Sequence, residues 1–230
     1  MMNSPAERRD SIMRFLCAIL IPAASAWAQA GGNAAPDVNK DYRTQEGRAN
    51  VAKRLANPER DRTQKPEAIV AALQLKPGMT AADIGTGVGY MLPFLSTAVG
   101  PSGKVIAEDI QTDFLDGAKA RIAAARLTNV TAVLGAADDP NLPPGAVDVA
   151  LVLDAYHHME QPAKVLAALA RGLKKDGHLA IVEFHKADRP DHLRFDQAEL
   201  IREVESNGFR MLSKIDRITD SQYLVTFAKR

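Results

Sequence analysis

A chain of 230 residues, 46% hydrophobic and 25% charged, has enough apolar material to bury one sizeable core and is ordinary for a soluble globular protein. Its 29 basic residues balance 28 acidic ones, and no basic arm or aromatic-interleaved basic patch occurs. This argues against a nucleic-acid partner and leaves a small molecule, favoured over a protein.

At the N-terminus, Arg8, Arg9 and Arg14 precede an apolar run from Phe15 to Trp27 that closes on Ala26-Trp27-Ala28, a small-x-small site. The run is too short and too alanine-rich for a membrane span. It is expected to be a secretory signal (residues 1–28) removed after Ala28, which places the mature protein in the periplasm with only transient membrane contact during export. The Arg8-Arg9 pair leaves the twin-arginine route open beside the general one. Removal also takes away Cys17, the only cysteine, so disulfides and thiolate metal sites are excluded. With it go three basic and two acidic residues, leaving the remainder formally neutral.

Residues 29–45 read as a flexible lead-in, with little to bury from Gln29 to about Asn39, and residues 46–230 as a single domain without internal repeats. A helix is predicted from Thr44 to Ala56, broken at Asn57-Pro58. Another follows Pro66, from Glu67 to Leu75, and stops at Lys76-Pro77-Gly78. Strand-like runs follow at Thr80–Ile84, Lys104–Asp109, Val130–Leu134, Val147–Leu153 and His178–Phe184. Helical segments separate them at Met91–Val99, Phe114–Leu127 and Pro162–Leu173. This alternation predicts an α/β fold, a doubly wound, Rossmann-like parallel sheet with helices on both faces. The tail differs. A capping box at Asp196 to Glu199 starts a helix that Gly208 stops, and two strands, Phe209–Ile215 and Gln222–Ala228, follow as an antiparallel pair.

The turn after the first strand is Ala82-Asp83-Ile84-Gly85-Thr86-Gly87-Val88-Gly89-Tyr90. Its glycines let backbone approach a ligand, and the N–H groups of the following helix start are expected to face it. A phosphate-binding loop would need Gly-x-x-x-x-Gly-Lys-Ser/Thr, which is absent, and a dinucleotide loop would put its third glycine at Tyr90. Asp-x-Gly-x-Gly-x-Gly resembles motif I of the class I S-adenosylmethionine-dependent methyltransferases. That resemblance implies a seven-stranded sheet ending in an antiparallel hairpin and covers the chain from Pro66 onward. It also implies S-adenosylmethionine as cofactor and methyl transfer by direct displacement to a small molecule that the sequence does not identify.

The resemblance assigns the cofactor to Asp83, Gly85, Gly87 and Gly89 of the loop. Asp109 closes the second strand ~20 residues on, where a carboxylate accepts from ribose hydroxyls, and Ile110 offers an apolar face to the base. Glu108 is expected on the opposite face of the strand. Asp138, in Gly135-Ala136-Ala137-Asp138-Asp139, corresponds to an acid that takes the adenine amino group or is a simple turn former.

The fourth strand ends in Leu153-Asp154-Ala155-Tyr156-His157-His158, similar to the His-His of small-molecule methyltransferases of the quinone-biosynthesis type. All five histidines fall between His157 and His192, and His185 follows the fifth strand. His157 and His158 are the candidate catalytic residues, as general bases. Asp154, Tyr156, Glu183 and His185 are candidates for the substrate pocket. Two other readings stay open: metal ligation by Asp154, His157, His158, Glu183 and His185, or a purely loop-fixing role. No tight ligand spacing supports a metal, so none is expected. Lys186 to Arg194, with Phe195, reads as a lid or a solvated loop. The rival function is a non-catalytic exported nucleoside-binding protein on the same scaffold. A nicotinamide-dependent oxidoreductase is disfavoured by the glycine spacing.

Overall fold

The computed structural model describes residues 38–230, so the expected signal and most of the lead-in lie outside the described residues. Thr44 begins helix α1 (Gln45–Leu55) by accepting the Gly47 N–H at 3.0 Å, which satisfies one of the helix's orphan donors. Helix α2 (Arg60–Gln64) was not anticipated. Five residues are too few to display a helical period. Lys65, at φ 49°, turns the chain into helix α3 (Pro66–Ala72), with proline in the first turn where no N–H is required.

Strand and helix then alternate: β1 (Thr80–Ile84), α4 (Leu92–Val99), β2 (Lys104–Asp109), α5 (Thr112–Ala124), β3 (Val130–Leu134), β4 (Val147–Leu153), α6 (Pro162–Gly172) and β5 (Leu173–Phe184). The first four strands have the expected bounds. The fifth starts earlier than His178, because Leu173 already pairs with Val147 before the register shifts. Helix α7 (Gln197–Ser206) carries the expected capping box, with Asp196 and Glu199 each accepting the other's backbone N–H at 2.8 Å. The tail closes with β6 (Phe209–Ile215) and β7 (Gln222–Lys229).

The seven strands run in the order β3-β2-β1-β4-β5-β7-β6. Strands β1 to β5 pair in parallel, and β7 lies antiparallel between β5 and β6. Both faces are apolar, for a reason visible in β4. Val149, Leu151 and Leu153 pack with Leu92, Leu95 and Val99 of α4, whereas Ala150 and Val152 pack with Leu166 and Leu169 of α6. A side chain fully buried this way contributes roughly 1.5–3 kcal/mol. Strand order reverses between β1 and β4, which opens a crevice beyond their carboxyl ends.

Candidate active site

The glycine loop spans β1 and α4 at that crevice, and carboxylates hold it in place. Asp83 accepts the Thr86 hydroxyl at 2.6 Å, Asp109 the Gly87 N–H at 2.9 Å, and Glu108 the Gly85 N–H at 3.3 Å. The Gly85 and Gly87 N–H groups are therefore occupied by side chains of β2. Glu108 is also more than a face-filling neighbour of Asp109. Gly135 makes room for it, since a Cβ there would sit 1.8 Å from its Oε1. A loop whose first two glycine N–H groups are taken in this way suits a ligand without phosphate.

A cavity of about 580 Å³ lies over this loop, walled by Asp83, Gly85, Gly87, Asp109, Ile110 and Phe114 among others. Ile110 is 48% exposed at its edge, an apolar surface left open beside a polar floor. Burial raises Asp83 and Asp109 to about 6 and Glu108 to about 8, the last pushed further by Asp109. Among the described residues none of these three carboxyls is in a salt bridge, and their concentration at one floor fits a ligand carrying cationic groups.

This burial has a measurable cost. Glu108 stays protonated in the folded chain where it ionises in the unfolded one, so its contribution is full below the usual carboxylate range and is lost as pH rises toward 8. The isosteric Glu108→Gln substitution keeps an acceptor for Gly85 and cannot ionise. The variant is expected to match wild type near pH 5 and to exceed it by about 2–4 kcal/mol at pH 9, read from urea denaturation across pH. A constant difference across that range would show that Glu108 does not titrate there.

Two expected cofactor residues lie elsewhere. Gly89 faces helix α5: a Cβ on it would meet Leu92 Cδ1 at 2.7 Å and Ala118 Cα at 3.2 Å, so its role is close packing. Asp138 points outward. Ala136 and Asp139 close the turn by reciprocal backbone bonds, Ala136 and Ala137 line the cavity, and Asp138 pairs with Lys164 at 3.4 Å on the surface.

A second cavity of about 920 Å³ adjoins the first, and both are lined by Tyr42, Leu55, Arg60, Asp154 and His158. Asp154 occupies the shared wall at φ 52°, a strained setting for a residue with a side chain. Its carboxyl faces Arg60 at 3.8 Å and accepts from Gln222, whose own oxygen accepts from Gln64 at 2.8 Å. Burial, followed by the nearby Glu183, lifts Asp154 to about 7.

The two candidate catalytic histidines diverge. His158 lines both cavities, with Nδ1 2.8 Å from Asn39 Oδ1 and Nε2 3.3 Å from the Tyr42 hydroxyl. His157 lines only the second. Its Nδ1 lies 2.8 and 2.9 Å from the two Glu183 oxygens and its Nε2 3.1 Å from His192 Nε2. Burial, then the Arg189 guanidinium, holds His157 far down, at about 3. The structure corrects three pocket expectations. Tyr156 is wholly buried beneath the site, its hydroxyl donating to Glu203 at 2.7 Å. Glu183 lies one layer behind His157. His185 donates from Nε2 to the Asp216 carbonyl at 2.7 Å, away from both cavities.

Asn39, Tyr42, Arg60, Arg189 and His192 are site residues that the sequence reading did not single out. The crowding of all histidines into one stretch was the signal for His192. For Asn39 and Tyr42 there was none, since they fall in the expected lead-in. The lid reading divides: Arg189 and His192 line the second cavity, but Phe195 is buried against Tyr156.

A carboxylate-floored cavity at the switch point of a doubly wound sheet defines a cofactor-binding α/β protein of the kind that takes a cationic nucleoside. Residues 82–181 match the family model for a methyltransferase domain. A solved S-adenosylmethionine-dependent methyltransferase from Aquifex aeolicus is 30% identical at a TM-score of 0.74, covering 77% of this chain and 96% of that one. The chain belongs to the class I S-adenosylmethionine-dependent methyltransferases. It is also similar to a ubiquinone/menaquinone biosynthesis C-methyltransferase of Ralstonia pickettii, 28% identical over 127 residues (55% of this chain, 52% of the relative). Nocamycin O-methyltransferase of Saccharothrix syringae is 34% identical over 107 residues (46% of this chain, 38% of the relative). The chain spans about half, or less, of the length of the curated relatives it matches.

Proposed function

We propose that this chain transfers a methyl group from S-adenosylmethionine to a small molecule seated in the second cavity. The observation that carries the reading is the shared wall: a cofactor cavity and a larger polar cavity meet at Tyr42, Arg60, Asp154 and His158. When bound, the cofactor supplies an electrophilic methyl on a sulfonium. Asp83 and Asp109 would hold its polar groups and Ile110 its base. The buried carboxyls fit such a ligand, since its positive charge relieves a cost the free protein carries. The rest of the chain's work is alignment and exclusion of water at the wall, worth ~7 kcal/mol or more when the geometry is right. Direct displacement needs no covalent enzyme intermediate.

A thermal-shift titration tests the reading. At 100 times Kd, S-adenosylmethionine or S-adenosylhomocysteine adds about 2.7 kcal/mol of apparent stability, a rise of roughly 5–10 °C for a chain of this size. NAD(H) should give none. Stabilisation by NAD(H) alone would sink the proposal.

The proposal extends to place. The pattern of Arg8, Arg9, the apolar run and Ala26-Trp27-Ala28 supports export with cleavage after Ala28 and a periplasmic mature chain. N-terminal sequencing of fractionated cells should then read from Gln29. An intact N-terminus in the cytosol refutes it.

A further inference from the structure

We propose that His157, His158 and His192 form a three-histidine site for a divalent transition-metal ion, zinc above all, opening on the second cavity. One nitrogen from each ring lies within 4.8 Å of the other two, and the Nε2 atoms of His157 and His192 are 3.1 Å apart. Three nitrogens bound to a tetrahedral zinc sit about 3.3 Å from one another. His157 and His158 come from one tight turn (Tyr156–His158) with ring centroids 4.1 Å apart, and His192 reaches them from the segment between β5 and α7.

Their orientation is set from behind. Both Glu183 oxygens bracket His157 Nδ1, and one also accepts the His157 backbone N–H at 3.1 Å. This is an acceptor's fork, so Nδ1 carries the proton and Nε2 the lone pair. Asn39 does the same for His158. Its Nδ2 donates to the His158 carbonyl at 3.1 Å and to Glu160 at 3.3 Å, which turns Oδ1 toward His158 Nδ1. Two neighbouring imidazoles thus have their far nitrogens held by oxygens, and an ion bound through the Nε2 atoms would replace the contacts these make in the free chain, to His192 Nε2 at 3.1 Å and to the Tyr42 hydroxyl at 3.3 Å. Metal-binding histidines are fixed in this way. Glu183 is wholly buried and holds His157 from the side away from the cavity, the place a carboxylate takes behind a metal-binding histidine.

Three protein ligands leave a position open, and the histidines line the cavity assigned to the acceptor. The purpose of the ion rests on the methyltransferase reading. It would take an acceptor hydroxyl or thiol as its anion, the proton passing to water, and so replace a side-chain base. That purpose fits His157, whose two ring nitrogens are both engaged.

The test uses untagged full-length protein, stripped with chelator and titrated with zinc by calorimetry and with cobalt(II) by visible absorption. One equivalent of each is expected, with the intense d–d bands of a four- or five-coordinate cobalt site. His192→Ala, at the more exposed ligand, should weaken zinc binding at least about 100-fold, and Glu183→Gln, behind His157, by about 10–100-fold. Both variants should keep wild-type stabilisation by S-adenosylmethionine. Failure to take up stoichiometric metal, or a His192→Ala titration equal to wild type, overturns the site in favour of a simple His157–His192 hydrogen bond. Loss of the S-adenosylmethionine response in wild type would overturn the methyltransferase reading and leave the metal titration standing.

Discussion

Asp109→Ala is expected to weaken S-adenosylmethionine binding at least about 100-fold while leaving the melting temperature of the free protein nearly unchanged. The carboxylate stands at the end of β2 on the cavity wall and accepts from the Gly87 and Gln111 N–H groups at 2.9 Å each. A hydrogen bond to a charged acceptor contributes about 1.5–3 kcal/mol, so two to the ligand cost two decades or more in Kd. The free protein gives up the bonds to Gly87 and Gln111. It also sheds a carboxyl whose burial raises it to about 6, and these two terms oppose each other. Calorimetric titration beside a thermal melt separates them. An unchanged Kd with a lowered melting temperature would make Asp109 a loop clamp and nothing more.

Gly89→Ala should do the reverse. Gly89 sits at φ +78°, and an added Cβ has Leu92 and the Ala118 backbone in its way. Left-handed backbone and the clash together cost about 3 kcal/mol, which lowers the melting temperature by roughly 6–12 °C. At 10 °C, where the variant remains folded, its affinity for S-adenosylmethionine should stay within about threefold of wild type. A large loss of affinity at full stability would return Gly89 to the cofactor site. The glycines of one motif thus separate by mechanism: Gly85 and Gly87 line the cavity, and Gly89 lets α5 approach.

The sheet was legible because its strands announce themselves locally. Thr80–Ile84, Lys104–Asp109, Val130–Leu134 and Val147–Leu153 are short apolar runs between glycine, proline or polar breaks, and tertiary packing did not override them. Asp83 and Asp109 were legible as cavity-lining residues because each stands at the carboxyl end of such a strand. Asp138 and Tyr156 were misread for a common reason: nearness in sequence to a strand end does not say which way a side chain leaves the turn. The reciprocal bond closing residues 136–139 turns Asp138 outward, and the turn after Asp154 drives Tyr156 down to Glu203. Residues such as Asn39, Tyr42 and Arg60 had no local signal, because they reach the site only through tertiary contact. His158 joins Asn39 across 119 positions.

That long-range closure bears on what kinship can teach. The segment shared with the family, residues 82–181, contains the glycine loop, Asp109, Asp154, His157 and His158. Asn39, Tyr42, Arg60, Arg189 and His192, which complete the second cavity or fix its histidines, all lie outside it. With the acceptor in the second cavity, as proposed, inheritance of the common block would carry the methyl donor and be nearly silent about the acceptor. On that proposal, guessing the acceptor from a relative aligned only over that block would compare the wrong half of the active site. Chains that share this one's flanks at both ends are the ones whose substrates bear on it.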